Sequence, residues 1–202
     1  LHRVAAAFRR VMAALDLDLD DPHLAGTEFR VARAYRELFA GLVAGAEPSL
    51  RTFPNTERYT DPVALNDIPF FSVCAHHFLP FFGSAHVAYL PGNRIVGLSK
   101  LARVVDFFAR RPQVQERLTE QVADYIERRL APRGVMVVVQ ARHFCMEMRG
   151  IGQAGLITTT SAVRGEFTED RWRREFLARV SVRRASAVTL DGGRATCPTS
   201  SI

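Results

Sequence analysis

The chain has 202 residues, 48% of them hydrophobic, and 27 basic against 21 acidic side chains give a net charge of +6. That is enough apolar material for one sizeable domain with an appended helical segment, with no run of about 18 apolar residues to span a bilayer. Three cysteines are too few, and odd in number, for a disulfide framework, and the basic excess favours anionic partners without selecting one.

Residues 2–15 have the pattern of an amphipathic helix, and LHRVAAAFRRVMAAL lacks a compact signal-peptide core, so a cytoplasmic protein is expected. An acidic connection follows. TEFRVARAYRELFAGL (27–42) then predicts a second helix, with Thr27 as N-cap and Val31, Tyr35, Leu38 and Leu42 as its apolar stripe. Residues 1–44 thus form an N-terminal helical segment ahead of a main domain, 45–182. Residues 45–68 read as loops with one or two short strands. From Pro69, PFFSV leads into CAHHFLP, and SAHVAYL and RIVGL flank the turn signal PGN as a hairpin.

SKLARVVDFFAR places Leu101, Val104, Val105 and Phe108 at helical spacing, with Ser99 fitting the N-cap. Pro112 fits the first turn of a helix over 112–130, with Val114, Leu118, Val122 and Tyr125 as its buried row. GVMVVVQARHFCMEMRG reads as one long strand on which His143, Cys145, Glu147 and Arg149 share a face. A β-prone run (158–163), a short helix in EDRWRREFLARV and a tail predicted to be disordered (183–202), with Cys197 as a bystander, complete the chain. The order predicts an α+β fold with helices on one face of a mainly antiparallel sheet.

One cysteine and two histidines interrupt an apolar run at FSVCAHHFLP. Cys74-x-x-His77 has the spacing by which one turn offers two ligands to one metal, and Cys145 is the other cysteine ahead of the tail. Three protein ligands plus water is the catalytic zinc pattern, and His76 and His143, each beside a ligand, are of the residue type suited to shuttle protons near neutral pH. The bland alternative is that the cysteines simply pack. His86 reads as structural, and His2 and His23 as surface residues.

Ser99, Lys100 and Arg103 open a helix, where cations oppose the helix dipole unless an anion joins them. Arg149 is placed to help, and Lys100 is the single lysine in the chain. A solvated basic face is the alternative. Glu116 reads as an exposed helix residue or as a carboxylate that accepts two hydrogen bonds from a guanine edge.

SVCAHHFLPFFG, AYLPGNRIVGLSKLARVVDFFARRPQVQERLTEQV and ARHFCMEMRG, in this order, resemble the GTP cyclohydrolase I family. The resemblance runs from about Thr27 to about Val180 and is densest from Cys74 to Gly150. It implies hydrolysis of GTP at guanine C8, release of formate and closure to 7,8-dihydroneopterin triphosphate. Matched position by position, it implies Cys74, His77 and Cys145 as ligands of Zn2+ and His76 and His143 as catalytic. It implies Glu116 at the guanine, Ser99, Lys100, Arg103 and Arg149 at the triphosphate, and Gln115 as a further substrate-binding residue. It also implies the tunnelling fold, in which subunits join their sheets into a barrel. The family's usual assembly is a homodecamer of two pentamers with sites at subunit boundaries. Residues 49–67 match poorly.

One position departs from the family pattern: the glutamate that follows the first zinc cysteine is here Ala75. A methyl moves no proton, so the alternative is a ring-opening hydrolase that stops at a formamide intermediate. A third reading, a zinc-stabilised basic nucleic-acid module, has the charge for it. It lacks a fourth metal ligand and any aromatic-basic stacking motif, and neither nucleic acid nor a membrane is expected as a partner.

Overall fold

The computed structural model describes residues 1–181; the tail predicted to be disordered lies outside the described residues. In chain order the elements are α1 (His2–Ala14), α2 (Thr27–Leu38), β1 (Thr52–Pro54), β2 (Val63–Cys74), β3 (Pro80–Leu90), β4 (Arg94–Val96) and α3 (Leu98–Ala109). β5 (Pro112–Gln113), α4 (Gln115–Leu130), β6 (Gly134–His143), α5 (Phe144–Glu147), β7 (Thr158–Gly165) and α6 (Asp170–Ser181) follow, with single 3-10 turns at Ala40–Leu42 and Glu166–Thr168.

Five strands form one sheet in the order β5-β2-β3-β6-β7, antiparallel except for the short β2–β5 pair. β3 lies at the centre, and its run from Ala85 to Leu90 is wholly buried. One face of the sheet, with Phe81, Ala85, Val87, Tyr89, Val135, Val137 and Val139, packs under Leu101, Val104 and Val105 of α3 and Leu118, Val122 and Ile126 of α4. Apolar burial at about 25 cal/mol per Å² makes this layer the main source of stability.

The expectation of helices on one face only is corrected here. Ala88, Leu90, Met136 and Val138 point the other way and are covered by Phe167 and by Trp172, Phe176 and Val180 of α6. A continuous apolar run such as VMVVV has no solvent face and needs cover on both sides.

The hairpin expected from PGN also fails. Both edges of β3 are taken by β2 and β6, so β4 pairs with β1 through Thr52–Val96 and Pro54–Arg94. Pro112 does not open a helix. With Gln113 it extends the edge of β2 at Val73 and Cys74, where a proline's missing N–H is harmless, and α4 starts at Gln115. Gly26, not Thr27, stands at the N-cap of α2, with φ of 72°, and Gly97, not Ser99, at that of α3. The stripe expected on α2 is not a buried one: Ala32 is the residue buried there, facing Ala5 and Met12 of α1, and Leu38 and Leu42 are exposed.

A bulge in β2 sets Asn66 and Asp67 opposite His86 alone, between the pairs Leu65–Val87 and Ile68–Ala85. Asp67 donates its backbone N–H to His86 Nδ1 at 3.2 Å, so this buried histidine is structural, as expected. Among the described residues no helix is long and apolar enough to cross a membrane.

Candidate metal and nucleotide site

Cys74 ends β2, and the chain then folds back on itself: Phe78 N–H donates to Cys74 C=O, and Cys74 N–H to Leu79 C=O, both at 2.8 Å. His76 and His77 sit inside this turn. β6 reaches the same end of the sheet, where His143 pairs with Phe81. The strand predicted through Gly150 stops there, because residues 144–147 wind into the single turn α5. That turn brings Cys145 over Cys74. The strand alternation expected for Cys145, Glu147 and Arg149 is therefore wrong, though Cys145 still arrives beside His143.

Cys145 Sγ lies 3.9 Å from Cys74 Sγ, and Cys74 Sγ lies 3.9 Å from His77 Nδ1. All three ligand atoms fall within 4.8 Å of one another. A tetrahedral zinc with bonds of about 2.3 Å to sulfur and about 2.05 Å to nitrogen separates its ligand atoms by about 3.8 Å (S···S) and about 3.6 Å (S···N). The observed spacing fits such an ion, and it is far too wide for a disulfide. Both thiols are buried, at 6% and 9% exposure, whereas His77 is exposed, so the trio has one open side. Burial first, and then the Cys74 sulfur beside it, push the Cys145 thiol above its ordinary value. Two thiolates share this pocket comfortably only with a cation between them.

The remaining sequence-predicted residues separate into two groups. His76 Nδ1 is 4.0 Å from Cys74 Sγ, and Arg149 Nη1 is 3.2 Å from His77 Nε2. The His143 ring lies parallel to Phe81, with centroids 4.7 Å apart. Its Nε2 is 2.7 Å from Gln115 Oε1. Burial lowers the His143 pKa, opposed by the charges of Glu116 and Glu147. Glu116 itself is exposed in the first turn of α4.

Gln115, expected at the substrate, is instead 2% exposed. Its Nε2 donates to Val139 C=O, Thr158 C=O and Thr160 Oγ1 at 3.0–3.2 Å. Thr119 Oγ1 lies 2.6 Å from Thr160 Oγ1 and donates to the Gln115 carbonyl. Because two carbonyls claim the amide N–H groups, the oxygen must face His143, whose Nε2 therefore carries the hydrogen. His143 Nδ1 is left as the free base position. No sequence signal pointed to Phe81, Thr119 or Thr160, because their partners are remote along the chain.

Ser99, Lys100 and Arg103 are not brought to this cluster within one chain. Ser72 Oγ donates to Ala109 C=O at 2.7 Å, which fixes the C-terminal end of α3 beside Cys74. Lys100, nine residues earlier, is about 13 Å back along the helix. Val96, just before α3, donates its N–H to Tyr89 Oη, and Tyr89 is eight positions, about 26 Å, along β3 from Phe81. Among the described residues no hydrogen bond or ion pair joins Ser99, Lys100 or Arg103 to Arg149 or to the metal cluster.

The sequence of residues 4–181 matches the family described as GTP cyclohydrolase I. The protein named GTP cyclohydrolase 1 of Mycolicibacterium vanbaalenii is 53% identical over 171 residues, 84% of each chain. Its namesake in Mycobacterium ulcerans is 52% identical over 170 residues, 83% of this chain and 84% of that one. With the family match spanning residues 4–181 and identity above half over most of each chain, the chain belongs to the GTP cyclohydrolase I family.

Proposed function

We propose that this chain is a zinc-dependent GTP cyclohydrolase I, which opens guanine at C8, releases formate and yields 7,8-dihydroneopterin triphosphate. The observation that carries the reading is the spacing of the Cys74, Cys145 and His77 ligand atoms, which matches a tetrahedral ion with one position open. When bound, zinc supplies a Lewis acid that makes a coordinated water acidic near neutral pH. Two free thiols as ligands suit a reducing, cytoplasmic setting.

The protein's own residues do the rest. His143 takes a proton at Nδ1 and returns it to the opening ring, while Gln115 holds Nε2–H and Phe81 holds the plane of the imidazole. His76, exposed beside Cys74, serves as the second proton carrier. Glu116 accepts from the adjacent N–H donors of the guanine edge, which rejects purines that lack them. Arg149 meets the triphosphate from the metal side. Ser99, Lys100 and Arg103 meet it from a neighbouring copy of the chain, since within one chain no hydrogen bond or ion pair joins them to the metal cluster. The site is then complete only in a homo-oligomer, the decamer of two pentamers being the family's usual form.

In this scheme Gln115 is a positioning residue. Gln115→Met is expected to lower kcat about a hundredfold, the scale of a misplaced acid–base group, with KM almost unchanged. A raised KM with kcat retained would place Gln115 at the substrate instead.

Ala75 favours a second reading, a hydrolase that stops at the formamide. Its backbone N–H is held by Gln113 C=O at 2.8 Å, and its methyl offers no proton donor between Cys74 and His76. The zinc-loaded protein incubated with GTP is expected to give formate and, after oxidation and dephosphorylation, fluorescent neopterin. Release of neither product by the zinc-loaded protein would sink the proposal. A formamide by mass spectrometry, converted to pterin product by Ala75→Glu, would select the second reading.

A further inference from the structure

The turn that carries His76 and His77 depends on a residue in a costly conformation. Phe78 has φ of 55°, a left-handed geometry that a bulky aromatic side chain rarely adopts and that persists only when its surroundings impose it. The turn's own hydrogen bonds, Phe78 N–H to Cys74 C=O and Cys74 N–H to Leu79 C=O, close it but leave the ring half exposed.

What holds the ring comes from the N-terminal helical segment. Phe39, directly after α2, meets Phe78 edge-on, with centroids 5.9 Å apart and planes at 76°. Tyr35 lies 6.5 Å from Phe78 and 5.3 Å from Phe39, so the three rings form one cluster. Edge-to-face pairs of this kind contribute beyond their buried area and fix orientation.

The helix end that presents these rings is itself fastened near the site. Gly41 N–H donates to Arg110 C=O at 2.9 Å, and Arg111 Nη2 donates to Gly41 C=O at 2.7 Å. A Cβ on Gly41 would come within 2.2 Å of Phe107 C=O, so only glycine allows this approach. The end of α3 is in turn tied to β2 through Ser72 and Ala109, two residues before Cys74. The contacts thus close a circuit from β2, through the turn and its Phe78 ring, to Phe39, Gly41, the end of α3 and back to β2.

We propose that Tyr35 and Phe39 are positioning residues for the metal centre, acting through Phe78 to hold His77 at bonding distance from the ion shared with Cys74 and Cys145. The two thiols are placed by β2 and by the turn after β6. The imidazole is placed by a turn that relaxes if its left-handed residue is released. Docking of the N-terminal helices then sets metal affinity. This inference rests on the metal reading of the Cys74–His77–Cys145 cluster.

The test uses the full chain, stripped of metal and titrated with Co2+, whose thiolate charge-transfer and d–d bands report ligand number and geometry directly. Affinity comes from competition with a chromophoric chelator. Phe39→Ala is expected to weaken Co2+ binding about tenfold and to reduce the tetrahedral d–d intensity, in keeping with the effect of outer-shell partners on metal affinity. Phe39→Tyr, which keeps the ring, is expected to retain both. Phe78→Gly, which tolerates the backbone angle but removes the ring, is expected to weaken binding similarly. Adding Phe39→Ala to Phe78→Gly should change nothing further.

A folded Phe39→Ala protein with native Co2+ affinity and spectrum overturns the inference. So does a further tenfold loss in the Phe78→Gly background, since Phe39 would then act by another route. If Phe39→Ala does not fold, Phe78→Gly decides alone, and native affinity and spectrum there overturn it. Failure of the unmodified chain to bind Co2+ is a different result, and removes the metal reading itself.

Discussion

Cys145→Ser is expected to leave the fold standing and remove the metal and the reaction together. A serine hydroxyl is harder, shorter and far less acidic than a thiol, so it does not replace a thiolate 3.9 Å from Cys74 Sγ. With three protein ligands and no spare, losing one leaves a cysteine and an exposed histidine on one turn, a weak pair. In the proposed mechanism a bound ion would contribute several kcal/mol to the hydrolytic transition state, which corresponds to about a thousandfold or more in rate. Formate release should therefore fall by about that factor, and metal content by mass spectrometry should drop well below one ion per chain. Thermal unfolding should stay cooperative and fall only by the stabilisation the ion gave the folded state, because Cys145 sits in a single turn beyond the end of β6. One zinc per chain together with undiminished formate release would show that the cluster is not the catalytic centre.

This centre was partly legible in the letters because part of it is local. Cys74 and His77 lie in one turn, so their spacing alone announces a ligand pair. Cys145 was found for an incomplete reason. A strand alternation placed it beside His143, whereas the chain leaves the sheet at His143 and a helical turn carries the thiol over Cys74. Gln115 is a different case. The family resemblance implied it as a substrate-binding residue, but its burial comes from the approach of β6 and β7, through Val139 and Thr158, which no local pattern announces.

The sheet followed the same rule. Each long strand is visible as an apolar run, but which strand borders which depends on pairings made far along the chain, and periodicity carries no register between remote segments. Hence PGN looked like a hairpin turn although β3 had no free edge, and Pro112 looked like a helix start although β2 had one. Cover on the second face could have been read, since VMVVV alternates nothing. The place of Lys100 relative to Cys74 could not, because sequence order gives no distance between them.

The proposed division of the site between copies leads to the sharpest expectation about assembly: two inactive chains should repair one another. Cys145→Ser destroys the metal half of a site and leaves Ser99, Lys100 and Arg103 intact. Lys100→Ala destroys the phosphate half and leaves the metal cluster intact. If each site draws its two halves from different copies, a mixed oligomer contains some sites with both halves native. With equal amounts and random assembly around a closed ring, each half is native with even odds, so about one site in four is whole. Co-expression of the two variants under different tags, followed by purification through both tags, should then recover about a quarter of the native formate release from partners that each show almost none. Cys145→Ser mixed with Cys74→Ser is the matched control, because both lesions fall in the same half and no arrangement yields a whole site. Activity that stays at the level of the control in both mixtures would mean that a single chain supplies the entire site, and that the separation along α3 and β3 is bridged within one molecule rather than between two.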